Sequence, residues 1–176
     1  VEVSMVLDVT GSMGDKVKST GTKKIDDLKK AAKVAVSAFL DGDADNTRVA
    51  IVPYANSVNA GALSVAVRDP AGNLPVDTCA TERRGAEMYT DAGPTKRVTR
   101  ANELASFRPC PSAAVMPLTK NKAALNALIN TLDPYGTTAG HIGLQWGQYM
   151  LSPNWKPVLA TSADPADYGA PQTDKY

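Results

Sequence analysis

Val3-Ser4-Met5-Val6-Leu7-Asp8-Val9-Thr10-Gly11-Ser12-Met13-Gly14 is the stretch whose reading decides how this chain folds. Residues 2–7 are apolar and β-branched enough to read as a buried strand. The strand ends on Asp8, and two hydroxyl side chains, Thr10 and Ser12, follow at alternate positions among glycines. An Asp-x-Thr-x-Ser loop at a strand end gathers oxygen donors where backbone pairing stops. Oxygen without thiolate or imidazole suits a hard cation such as Mg²⁺, which holds near-octahedral geometry and keeps several waters. The same residue types also form plain polar turns, because Asp, Ser and Thr side chains satisfy turn amides.

Outward from this loop, Lys23 to Leu40 carries a helical period. Ile25, Leu28, Ala32, Ala35 or Val36, and Phe39 recur at three- and four-residue spacing, with Lys24, Asp27, Lys30 and Lys33 between them. Asp41 to Asn46 ends that helix, and Arg48 to Pro53 reads as a second buried strand. Strand, helix and strand in this order make a βαβ unit with a parallel pair. The expected fold class is therefore α/β, with a doubly wound, mostly parallel central sheet flanked by helices. In such sheets ligands bind beyond the carboxyl ends of central strands, which is where Asp8, Thr10 and Ser12 would lie.

From about residue 54 to 112 the pattern loosens into mixed Pro, Gly, Asn, Thr and charge, which reads as an insertion. Cys79 and Cys110 both sit in loop-like sequence there, which favours a disulfide over buried free thiols and implies an oxidising compartment. Ala114 to Leu118 reads as a short strand, and Thr119 as the N-cap of a helix over Lys122–Leu132, with Leu125, Leu128, Ile129 and Leu132 on one face. Asp133-Pro134-Tyr135-Gly136 breaks it. Another helix follows from near Ala139 to about Leu151, burying Ile142, Trp146, Tyr149 and Met150, and Ser162 to Lys175 reads as loop.

The 176 residues suffice for one domain with a real core, and a net charge of +1 gives no field favouring nucleic acid or an anionic membrane. No apolar run approaches the roughly 20 residues of a membrane helix. The chain starts at Val1 inside a strand and stops at Tyr176 in a Pro/Asp/Gly-rich stretch, which reads as a piece of a longer protein.

A second candidate stretch, Gly136-Thr137-Thr138, leads into the helix that carries Gly143-Leu144; by itself, a Thr there is also an ordinary helix cap. Asp41, Asp43 and Asp45 do not make an EF-hand, since Asn46 and Val52 stand where Gly and Glu are needed. His141, the only histidine, is expected on a helix surface or in packing. Arg83, Arg84, Lys96, Arg97, Arg100 and Arg108 could form a partner surface, diluted by Glu82, Glu87, Asp91 and Glu103. An Mg²⁺-dependent phosphatase would need a second Asp where Thr10 stands. A serine hydrolase would need a Gly-x-Ser-x-Gly frame that Ser12 lacks.

Taken together, Asp8-x-Thr10-x-Ser12 and Gly136-Thr137-Thr138, with Thr138 six residues before Leu144, resemble the von Willebrand factor A (vWA) domain and its metal-ion-dependent adhesion site. The order of elements matches as well. Val52-Pro53-Tyr54-Ala55-Asn56-Ser57-Val58-Asn59, Cys79-Ala80-Thr81-Glu82-Arg83, the run Gly140 to Gly147 and Leu151-Ser152-Pro153 are similar to TadG-type tight-adherence pilus-assembly proteins, which carry an A domain behind a membrane anchor. The resemblance covers nearly the whole chain. It implies a partial vWA-like domain over 1–176, with an insertion at about 54–112, cut before its later strands. It implies Mg²⁺ or Mn²⁺ held by Thr10 and Ser12 directly, by Asp8 through water and by Thr138 from a second loop. A third-loop Asp would lie beyond Tyr176, so none of Asp164, Asp167 and Asp174 is assigned to it, and cation binding by 1–176 alone would be weak. The implied function is metal-dependent binding of an acidic side chain on a protein partner, a pilus component or surface receptor, at the periplasmic or cell surface. The alternative is a scaffold with a degenerate site.

Overall fold

The computed structural model describes residues 1–42, 46–68, 77–83, 85–94, 98–99, 110–171 and 173–176. Strand β1 (Glu2–Asp8) and strand β2 (Arg48–Tyr54) lie parallel in unbroken register from Glu2↔Arg48 to Asp8↔Tyr54, joined through helix α1 (Lys24–Gly42). This is the βαβ unit that the sequence predicts. Beyond β2 the pairing is antiparallel and short, with β3 (Val58–Asn59) on the end of β2, β5 (Cys79–Ala80) on β3, and β7 (Met116–Thr119) on the start of β2. The sheet is thus mixed. Strands β4 (Val67–Arg68) and β6 (Val98–Thr99) form a separate parallel pair.

Alternation along the strands sorts side chains onto two cores. Val3, Leu7, Val49 and Ile51 face α1 and helix α2 (Lys122–Thr131), which bury Ile25, Ala32, Val36, Leu40, Leu125 and Ile129. Val6, Ala50 and Val52 face helix α3 (Gly140–Leu151), which buries Ile142, Trp146, Tyr149 and Met150 as expected. Three layers result, with the sheet in the middle. The close approach of α3 depends on Gly143, where a Cβ would stand 2.5 Å from the Tyr54 ring.

Several local expectations shift. Leu40 rather than Phe39 completes the buried stripe of α1, since four-residue steps from Ala32 through Val36 lead to Leu40. The cap of α2 is Asn121, whose side chain accepts from the Ala124 amide at 3.0 Å, while the Thr119 hydroxyl accepts from the Asn121 amide just outside the helix. The tail is more than loop. Asp174 and Tyr176 exchange backbone hydrogen bonds of 2.7–2.8 Å with Glu2 and Ser4, so the chain ends beside β1 on the edge away from β2.

Cys79 and Cys110 form the expected disulfide, with Cα atoms 5.2 Å apart, although Cys79 itself is buried rather than loop-exposed. Arg83, read as surface charge, is fully buried; its guanidinium lies 4.8 Å from the Tyr149 ring centroid and 5.4 Å from that of Trp155, and donates to the Gly93 carbonyl. Tyr149 and Trp155 stack on each other at 4.3 Å, so Arg83 clamps its own loop and that of Gly93 onto this aromatic pair. Asp43, Asp45, Arg84, Lys96, Arg97, Arg100, Glu103 and Arg108 lie outside the described residues. Among the described residues no helix is long and apolar enough to cross a membrane.

Candidate functional site

Asp8 ends β1 with its carboxylate turned back onto the following loop. Its Oδ1 accepts from the Thr10 amide at 2.8 Å, an Asx-type turn that sets the direction of the loop. Thr10 then leads into a short 3₁₀ turn over Gly11–Gly14. The Thr10 and Ser12 hydroxyls are drawn together, with Oγ1 and Oγ 3.3 Å apart. Thr10 is fully buried and Ser12 exposed, so the pair runs from the interior to the surface and is approached from the Ser12 side.

The second stretch is brought against the first by backbone bonds. The Tyr135 amide donates to the Val9 carbonyl at 2.7 Å, the Gly11 amide to the Gly136 carbonyl at 2.9 Å, and the Ala139 amide to the Ala55 carbonyl at 2.8 Å. Residues 135–139 therefore lie across the ends of both β1 and β2. Gly136 holds a φ of +67°, a conformation in which any side chain is strained. Thr138 stands on this loop with its side chain exposed; among the described residues no hydrogen bond ties it to Asp8, Thr10 or Ser12. The fold thus unites the two loops, while their hydroxyls remain unlinked.

Two residues at the site escape a motif search. Tyr54 stands opposite Asp8 in the parallel register; burial, and then the nearby Asp8 charge, push its phenol above the usual tyrosine range, so it keeps its proton. Asn56 follows two residues later, with its Oδ1 against Gly136. The signal for both lay in the βαβ pattern itself, because a parallel partner must end beside Asp8. His141 is exposed in the first turn of α3 and lines a groove with Met88, Tyr89 and Leu144.

The donor chemistry fits a small hard cation. At Mg–O distances of about 2.0–2.1 Å, adjacent ligands of an octahedron stand about 3.0 Å apart. The Thr10–Ser12 oxygen separation of 3.3 Å is close to one such edge. Among the described residues no group of three or more His, Cys, Asp or Glu gathers anywhere, so a cation here would rest on hydroxyls and a single carboxylate. No Lys or Arg pairs with Asp8 among the described residues, which leaves its charge available. Neither the protein-family models nor the curated proteins compared with this chain match it.

Proposed function

We propose that the chain is a non-catalytic binding module that holds a divalent cation, Mg²⁺ or Mn²⁺, between the β1 loop and the loop before α3. Thr10 and Ser12 supply hydroxyl oxygens, Asp8 supplies charge, and Thr138 contributes from the second loop. The observation that carries this reading is the 3.3 Å hydroxyl pair beside a carboxylate that has no cationic partner among the described residues. A doubly charged ion facing one carboxylate keeps net positive charge. It attracts an acidic side chain from a partner protein, which gives reversible adhesion without chemistry on the ligand. The resemblance to vWA domains of TadG-type proteins supports a doubly wound, vWA-like fold and a role for such contacts in pilus assembly or surface attachment, outside the cytoplasm. The Cys79–Cys110 disulfide agrees with that compartment.

Calorimetric titration with MnCl₂ tests the reading. The chain is expected to bind one Mn²⁺ per molecule, Ser12→Ala to lose that binding, and Thr138→Ala to weaken it. Immobilised chain is expected to retain poly-glutamate in Mg²⁺ and release it in EDTA. Equal Mn²⁺ affinity in wild type and Ser12→Ala overturns the assignment.

A further inference from the structure

Asn56 sits just past β2, only 8 % exposed, and its Oδ1 has no hydrogen-bond partner. Buried polar atoms are nearly always paired, and an orphan in a folded protein commonly marks the place of an ion or a water. This orphan points at one particular place. A Cβ on Gly136 would lie 2.2 Å from Asn56 Oδ1, so the oxygen rests directly on the α-carbon of Gly136. The Gly136 carbonyl in turn accepts from the amide of Gly11, the residue before Ser12. Asn56 therefore sets an unpaired carbonyl oxygen against the second loop, at the residue whose carbonyl bonds the first loop. Packing against Gly136 does not by itself call for a polar group, since an apolar side chain of similar shape would fill the space without an unpaired oxygen. Asn carbonyl oxygens are hard donors of the kind divalent cations take.

We infer that Asn56 is a further residue of the cation site, its Oδ1 completing the oxygen shell from the end of β2. This rests on the cation reading above. It adds a donor from an element that neither loop motif contains.

Two substitutions with opposite expected signs test it, read by MnCl₂ calorimetry and by thermal unfolding in EDTA. Asn56→Leu removes the donor. Mn²⁺ affinity is expected to fall about tenfold, while the cation-free melting temperature holds or rises because the orphan is gone. Asn56→Asp offers a charged oxygen. The cation-free protein is expected to melt lower and Mn²⁺ to bind about tenfold tighter or more. A residue that merely braces the loop would not tighten binding as Asp. The inference is overturned if both variants bind as wild type does, or if Asp weakens binding as Leu does. Ser12→Ala separates the two levels. If it loses Mn²⁺ while both Asn56 variants keep wild-type affinity, only the role of Asn56 fails. If wild type itself binds no Mn²⁺, the cation reading and the role of Asn56 fail together.

Discussion

Glu2 and Asp8 begin and end the same strand, yet their carboxylates meet opposite surroundings. Glu2 is 2 % exposed and answered on every side: Arg48 and Lys175 pair with it, the Lys175 ammonium at 2.7 Å, and the Ala166 amide donates at 2.9 Å. Arg48 goes on to the Ser162 and Asp164 carbonyls and Lys175 to those of Leu151 and Ala166. That end of β1 is a knot tying the first strand to the last residues. Asp8, at the other end, accepts from a backbone amide, with the Tyr54 strand partner beside it and no cation among the described residues. One carboxylate is spent within the fold and the other is kept open. The difference follows the geometry of a parallel pair, in which loops diverge beyond the carboxyl ends and leave a crevice there.

The largest effect expected from breaking this contrast is at Glu2. Glu2→Ala leaves two cations facing a buried gap and should cost about 3 kcal/mol of stability, measured by urea unfolding. Mn²⁺ affinity of the folded protein should stay at the wild-type value; a loss there would mean that the two ends are not independent. The same carboxylate sets an acid response. Burial alone would raise its pKa, but Lys175, the Ala166 amide and Arg48 together hold it below the ordinary value of 4.5. Its contribution is therefore complete above that value and is lost as pH falls through the lowered one. Glu2→Gln should flatten this part of the stability–pH curve.

Asp8→Asn should do the reverse. Asn keeps an acceptor for the Thr10 amide, so unfolding should change by no more than about 1 kcal/mol. Mn²⁺ affinity should fall by about 10- to 100-fold, and a larger loss of stability than of affinity would make Asp8 architectural like Glu2. The smallest effect is at Tyr54. Tyr54→Phe keeps the ring against Gly143 and removes a hydroxyl that feels the Asp8 charge. The expected cost is roughly 1 kcal/mol, a several-fold weaker Mn²⁺ affinity in the same titration.

Much of the frame was legible because periodicity reports which side of an element is buried. The βαβ unit, the buried face of α3, the position of α2 and the disulfide all followed from pattern and residue type. Phe39 and Leu40 differ by one residue at the end of the α1 stripe, and only packing against β1 and β2 chose Leu40. Arg83 could not be read correctly from sequence. An arginine in a polar stretch looks solvated until a stacked Tyr149–Trp155 pair, more than sixty residues away in the chain, is folded over it. The tail from 162 has no strand-like run, and its backbone pairing with Glu2 and Ser4 arises because an open edge of β1 supplies donors and acceptors.

At the candidate site, sequence alone determined the donor types and their spacing in the first loop: Asp8, Thr10 and Ser12 at the end of an apolar strand. Those are covalent neighbours, and their separation along the loop is set by the chain. Tertiary structure decided everything that crosses between strands. It set Gly136 on Gly11, brought Tyr54 opposite Asp8 and pressed the Asn56 oxygen against Gly136, because adjacency across a parallel pair depends on register and on the closeness that Gly143 allows to α3. It also separated the fates of Glu2 and Asp8, since a carboxylate's role depends on which charges the fold brings to it.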